Sequence, residues 1–300
     1  MRVVVTGASG FIGGNVVPAL REAGAYVIGL SNGRPVPGAD EWHACDVCDE
    51  AARQHVAAAD VVVHLAALSD ASLSVHDPLQ YGRVNALGTL NVLEGARSSH
   101  AFVVLASSQR VYKPAPAPLA EEEPMGPAEP YGFSKVVAEQ WLQMFRQVYG
   151  LPGVVLRLFS VYGPGQAPPG GTSGVASIFL HRALAGDELW VDGDRRADLT
   201  YVADVARGIL LAIEHRDRCG PVYNVATGVG TPLLELARLA VELTGSRSPI
   251  IVRPRSGQAG NLVADVTRAR RELGYEAITG LREGLTSTLD WLQNERAHIA

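Results

Sequence analysis

The most constraining feature of this chain lies at its very start. Arg2–Thr6 is a β-branched run, and Thr6-Gly7-Ala8-Ser9-Gly10-Phe11-Ile12-Gly13 comes directly after it. The spacing Gly-x-x-Gly-x-x-Gly falls between a predicted strand and a helix predicted over Phe11–Ala23. Glycine permits the tight turn and lets backbone N–H groups come close to an anion. The helix start adds partial positive charge for that anion. Gly13 lets helix and strand pack closely. Glycines that only make a turn need no such placement, so the motif reads as a seat for a dinucleotide pyrophosphate.

The same strand-then-helix rhythm continues down the chain. Strands predicted at Ala25–Leu30, Val61–Leu65, Phe102–Ala106 and Val154–Phe159 alternate with helices at Glu50–Ala58, Pro78–Ser98 and Gly132–Tyr149. Such alternation implies a Rossmann-type α/β fold, a doubly wound parallel sheet with helices on both faces. The strands are nearly all apolar, as strands covered on both faces should be. After about Gly163 the elements become shorter and less regular. Helices are predicted at Val175–Ala185, Val202–His215, Leu233–Leu243, Thr267–Leu273 and Leu281–Gln293. The expected division is 1–165 for a nucleotide-binding domain. Residues 166–300 form a smaller, mainly substrate-binding α/β part, with 203–228 returning to the first. The Pro-rich Lys113–Pro130 loop and the Gly/Pro-rich Pro164–Gly174 loop read equally as linkers or as lids over a cleft.

Composition excludes several classes. With 26 basic and 31 acidic side chains, a net charge of −5 and 47% apolar residues, disorder is excluded. A nucleic acid polymer is not an expected partner. Three cysteines are too few for a disulfide framework. Cys45 and Cys48 form a lone CxxC, a poor zinc signal, and no metal is expected. No secretory pattern and no apolar run of about 20 residues appear, so a cytoplasmic protein with no membrane span is the expectation.

The second strand ends Leu30-Ser31-Asn32-Gly33-Arg34, without the carboxylate that would hold a ribose diol. Ser31 and Asn32 would not repel a 2′-phosphate, and Arg34 would pair with one. NADP is therefore expected alongside NAD, and modestly ahead of it. Asp46-Val47 would meet the adenine edge. Further on, Tyr131-Gly-Phe-Ser-Lys135 puts Tyr131 and Lys135 one turn apart on one helix face. A nearby ammonium would favour phenolate and let the tyrosine exchange a proton near neutral pH. Ser108 ends the Phe102–Ala106 strand segment with a hydroxyl at the carboxyl edge of the sheet.

In this order, these motifs resemble the extended short-chain dehydrogenase/reductases, the NAD(P)-dependent epimerase/dehydratase group that acts on nucleotide sugars. The resemblance runs through TGASGFIGG (6–14), CDVCD (45–49), VVHLAA (62–67) and VNALGTLNVLEGAR (84–97). It continues through VLASSQRVY (104–112), PYGFSK (130–135), LRLFSVYGPGQ (156–166) and DLTYVADVARGILLAI (198–213), and ends with VYNVATG (222–228) and ADVTRARRELGY (264–275). It implies that Gly7, Gly10, Phe11, Ile12 and Gly13 hold the pyrophosphate, and that Asp46 and Val47 sit at adenine. Leu65, Ala66 and Ala67 would line the cofactor with Asn85 nearby, and Val161 would approach the nicotinamide. Tyr131 would transfer the proton, Lys135 would hold the nicotinamide ribose, and Ser108 matches the catalytic Ser/Thr. A homodimer through helix packing is implied, with Trp141, Leu142 and Phe145 either core or interface. His64 and His181 read as structural.

The departures lie on the substrate side. The dehydratases of this group carry Asp-Glu where Gln109-Arg110 stand here, which disfavours 4,6-dehydration. The phosphate-binding arginine falls on Ala197, leaving Arg195 or Arg196 as substitutes or as surface charges. The asparagine common before Val-Tyr-Gly-Pro is Ser160, and Arg-Pro-Gly-Asp is Arg255-Ser-Gly-Gln258. Gln109, Ser160, Arg196 and Arg255 are the candidate substrate residues. The leading reading is a nucleotide-sugar 4-epimerase. The alternatives are an NADPH-dependent 4-ketosugar reductase and a non-catalytic protein that senses NAD(P).

Overall fold

The computed structural model describes residues 1–113, 118–166, 174–254 and 261–299, with side chains of the last helix described to residue 295. Its centre is a seven-stranded sheet. Six strands come from the first part of the chain: β1 (Arg2–Thr6), β2 (Tyr26–Ser31), β3 (Glu41–Ala44), β4 (Val61–His64), β5 (Phe102–Ser108) and β6 (Gly153–Leu158). The seventh, Val222–Val225, arrives much later and pairs with β6. The spatial order is Val222–Val225, β6, β5, β4, β1, β2, β3, and every pairing is parallel. All four residues of β4 and all seven of β5 are buried.

The side-chain alternation of the strands divides the core. Val3 and Val5 pack with Val16, Val17 and Leu20 of the Phe11–Glu22 helix and with Val205 and Ile209 of the Val202–Glu214 helix. Val4 and Val62 face the other way, toward Val92 and Leu93 of the Gly88–Ser99 helix and Leu142 and Phe145 of the Pro130–Tyr149 helix. Each such aliphatic side chain contributes about 1.5–3 kcal/mol on burial. Leu142 and Phe145 are thus core, which removes them from the interface reading; Trp141 is half-buried beside them. A second core joins the Val175–Ala185, Leu233–Thr244 and Leu281–Ile299 helices through Phe179, Leu180, Leu236, Ala240, Leu285 and Leu289.

Three local differences from the sequence reading have physical causes. The edge strand β3 has a weak pattern, because Glu41-Trp42-His43-Ala44 is largely exposed. The long helix expected over Pro78–Ser98 is broken into Pro78–Tyr81, a π-helical turn over Gly82–Leu87, and Gly88–Ser99. The wide turn carries Asn85, whose side chain bonds outside the helix. The Pro130–Tyr149 helix begins two residues before the expected start, because proline suits a first helical turn. Among the described helices none is long and apolar enough to cross a membrane.

Candidate active site

The glycine turn is a cradle that side chains would fill. Gly7 has φ +66°, and a Cβ there would lie 2.7 Å from the Ala66 nitrogen. A Cβ on Gly13 would overlap the Gly7 carbonyl oxygen and lie 2.7 Å from the Ala8 Cα. Gly10 is the N-cap of the Phe11–Glu22 helix and offers no side-chain cap. The first N–H groups of a helix have no intrahelical acceptor, so those of Phe11, Ile12 and Gly13 could serve an outside anion. The chemistry of this turn fits a pyrophosphate. A depression of about 330 Å³ opens beside it, lined by Ser9, Gly10, Phe11, Gly14, Asn15, Pro164, Gly165 and Trp291.

The neighbouring strand end is fixed by a directional chain. Thr89 Oγ1 donates to the Asn85 carbonyl at 2.6 Å, so it accepts from His64 Nε2–H at 2.9 Å. His64 Nδ1 then accepts from the Thr6 hydroxyl at 2.7 Å, and Thr6 Oγ1 accepts from the Ala66 N–H at 3.2 Å. The imidazole must be neutral in this arrangement. Burial, with Lys135 nearby, pushes its pKa down to about 3. His64 is therefore a satisfied core histidine. The chain of bonds sets Leu65 and Ala66 against the glycine turn, with Ala67 next in sequence.

At the end of β2, the Ser31 hydroxyl is turned inward and donates to the Arg34 carbonyl, while Asn32 and Arg34 are exposed. Asp46 accepts from the Cys48 N–H at 2.9 Å and faces Arg83 at 3.5 Å; Val47 is buried. The two thiols behave as packing groups. Burial raises both, Cys48 to about 11.

The proton-transfer candidates meet at the carboxyl ends of β5 and β6. Ser108 and Tyr131 are each 8% exposed and Lys135 is 6% exposed. The Ser108 hydroxyl accepts from the Arg110 N–H at 3.2 Å. The Tyr131 ring meets the edge of Tyr81 with centroids 6.3 Å apart. Asn85 holds this helix to the strand end: its side chain exchanges bonds with the Leu68 backbone at 2.8 and 2.9 Å and donates to Ser134 Oγ at 2.9 Å. Ser134 in turn donates to the Tyr131 carbonyl at 2.7 Å.

One electrostatic expectation meets an opposing effect. Spacing alone has Lys135 lower the pKa of Tyr131, yet burial raises the phenol, with Ser108 and Arg110 acting against that rise and Glu129 adding to it. Lys135 instead donates to the Ala106 carbonyl at 2.9 Å. Burial pushes Lys135 down to about 8, with Glu139 acting in the opposite sense. Glu139 is a residue that sequence reasoning missed. It is buried, pairs with Arg157 at 2.7 Å, and accepts from the Ser107 hydroxyl beside Ser108. Arg157 also donates to the Glu121 carbonyl at 2.9 Å and lies over the Tyr112 ring. The signal available was a glutamate one turn after the lysine, with an arginine inside an otherwise apolar strand.

On the substrate side, Gln109 Nε2 donates to Ser160 Oγ at 3.0 Å. Val161 is half-buried and pairs with Thr200. Arg196 donates to the Gly230 carbonyl at 2.7 Å, and Arg195 lies 3.9 Å from Asp192. Arg255 and Gln258 lie outside the described residues, as do 114–117 and 167–173 of the two loops. Within the rest of the first loop, two side chains are packed down against the fold. Leu119 is fully buried, its N–H bonded to the Val263 carbonyl at 2.8 Å, and Glu121 is buried beside it. A cavity of about 420 Å³, also missed by sequence reasoning, is lined by Ile178, Phe179, Arg182, Trp190 and Arg253, with Arg253 stacked on Trp190.

Comparison with known proteins decides the lineage, because residues 3–226 match the NAD dependent epimerase/dehydratase family. The chain belongs to that family. A UDP-glucose 4-epimerase of Mycolicibacterium smegmatis is 34% identical, covering 98% of this chain and 99% of that protein. The UDP-glucose 4-epimerase of Thermotoga maritima, solved with UDP-glucose, superposes with a TM-score of 0.90 at 32% identity over 99% of this chain and 100% of that one. The Thermus thermophilus UDP-glucose 4-epimerase, solved with NAD, has a TM-score of 0.87 at 31% identity, covering 98% of this chain and 99% of that one. As an epimerase/dehydratase family member the chain is an enzyme of the short-chain dehydrogenase/reductase type, built on the family's Rossmann fold.

Proposed function

We propose that this family member is a nucleotide-sugar 4-epimerase using NAD. The observation that carries the reading is that Ser108 and Tyr131, both largely buried, interact side chain to side chain at the carboxyl edge of the same sheet whose β1 leads into the glycine turn. The relatives with UDP-glucose and with NAD support it. The Gly7–Gly13 turn would hold NAD, which when bound would supply the hydride acceptor and donor for the sugar C4. Tyr131 exchanges the proton of the C4 hydroxyl, and Ser108 hydrogen-bonds the same oxygen. Arg110 favours the phenolate. Lys135 uses one of its three donors on Ala106 and would have the others for the nicotinamide ribose. Inversion at C4 would then require the 4-keto sugar to present its other face in the cleft before the hydride returns.

The test is interconversion of UDP-glucose and UDP-galactose by purified protein, with no net change in NADH absorbance. Tyr131→Phe should abolish it; retention of the activity would sink the assignment. The second reading, an NADPH-dependent 4-ketosugar reductase, draws on the β2 end. Ser31, Asn32 and Arg34 offer no carboxylate against a 2′-phosphate. Stoichiometric NADPH consumption with a 4-keto nucleotide sugar would favour it. The apolar side chains of Phe133, on the Tyr131 helix, and of Leu79 and Leu87, on elements packed against it, are exposed and suit a homodimer face. Sedimentation velocity tests that point.

A further inference from the structure

Two departures from the family pattern, distant in sequence, touch each other in space. Position 160 carries serine where asparagine is common, and position 109 carries glutamine where the dehydratases carry an acid. The structure joins them, with Gln109 Nε2 on Ser160 Oγ at 3.0 Å. Both stand at the carboxyl edge of the sheet, Gln109 directly after Ser108 at the end of β5 and Ser160 just after β6. Serine is shorter than asparagine and leaves room there for the longer glutamine.

Two further observations point to a ligand at this pair. Gln109 is nine-tenths buried, with 9% exposure, and its Oε1 has no hydrogen-bond partner. Amide orientation does not remove the problem: with oxygen and nitrogen exchanged, the nitrogen is the atom left over. A buried unpaired polar atom is destabilising, so this arrangement is poised to exchange contacts when a polar ligand arrives. Ser160 also has φ +21°, at the edge of the left-handed region, where asparagine is among the best-tolerated residues. The backbone at 160 therefore suits an asparagine as well as the serine present.

We infer that Gln109 supplies, from the end of β5, the carboxamide that asparagine commonly supplies at position 160, and that this amide hydrogen-bonds the sugar beside its reacting carbon. Gln109 is then a specificity residue, selecting a sugar that keeps a polar substituent at that place. The inference rests on the epimerase reading above.

The test moves the amide back. Gln109→Met keeps the volume and removes both polar atoms. It should leave the melting temperature unchanged or higher, because an unpaired buried group is gone. It should lower kcat/KM for UDP-glucose by about tenfold or more, the loss expected for one hydrogen bond of about 1.4 kcal/mol. Adding Ser160→Asn to that variant should return kcat/KM to within about threefold of the starting protein. Ser160→Asn alone should lower it, because two amides then compete for one space. NAD affinity should be the same in all four proteins. Wild-type protein that ignores UDP-glucose overturns the functional reading and this inference with it. An active wild type whose Gln109→Met variant matches it, or is not rescued by Ser160→Asn, overturns this inference alone.

Discussion

Replacing Lys135 with methionine should make this protein more stable and inactive at once. The ammonium is 6% exposed, and its pKa falls from 10.5 to about 8 on folding, chiefly through burial. At about 1.4 kcal/mol per unit, keeping the side chain charged in the fold costs about 3 kcal/mol. Proton counting gives the sign. Between pH 8 and 10.5 the unfolded chain holds a proton that the folded chain has lost, so wild-type stability rises with pH there. Below pH 8 both states hold it and the cost is present in full; above 10.5 neither does, and the cost is gone. Methionine fills similar volume and carries no charge, but it leaves the Ala106 carbonyl without its lysine donor. Subtracting about 1–2 kcal/mol for that bond leaves a net gain of about 1–2 kcal/mol at pH 7. For a chain near this size that is a rise of a few degrees in melting temperature, at about 2–4 °C per kcal/mol. The assay is urea unfolding of both proteins from pH 6.5 to 10. The variant's advantage should be constant at low pH and shrink steadily above pH 8. A variant less stable at pH 7, or an advantage that does not change with pH, would refute the reasoning. Epimerase activity should fall by about 100-fold, the scale of a misplaced reactant, because the donors that Lys135 offers to the nicotinamide ribose are gone.

Other positions give sharper or simpler outcomes. Gly13→Ala drives a methyl into the Gly7 carbonyl oxygen and to 2.7 Å from the Ala8 Cα, so NAD binding by isothermal titration should be lost or weakened by about 100-fold, equivalent to about 2.7 kcal/mol. Arg157→Leu leaves the Glu139 carboxylate buried without its cation and should cost about 3–5 kcal/mol by urea unfolding; unchanged stability would show that the pair is solvated. His64→Asn cannot bridge Thr6 and Thr89 as the ring does, so faster hydrogen exchange at the Ala66 amide is expected, and unchanged protection would contradict the bond chain. Tyr131→Phe should keep NAD affinity within about twofold while removing turnover by about 1000-fold.

The glycine turn, the parallel strands and the Tyr131–Lys135 helix were legible because each carries its own local signal: apolar runs, helical spacing and small residues at a tight approach. The π-helical turn at Asn85 was not legible, since its cause is a set of bonds to Leu68 and Ser134, which are remote in sequence. Burial was the second blind spot. The i, i+4 spacing correctly puts Tyr131 and Lys135 on one face, but the charge effect depends on where the ammonium points, and it points to Ala106. The Gln109–Ser160 pair escaped for a related reason. Each departure is visible alone, and only the alignment of β5 with β6 shows that the two side chains meet.

The late arrival of Val222–Val225 has a consequence for how the protein is made. During synthesis, β6 leaves the ribosome long before its outer neighbour exists, and its unpaired edge stays open while more than sixty further residues are added. An open, apolar strand edge is a template for pairing with another chain. The nascent protein is therefore at greatest risk of sticking to its own copies in that interval. A truncation before residue 222 would make the interval permanent, and such fragments should accumulate as aggregates or in chaperone-bound form.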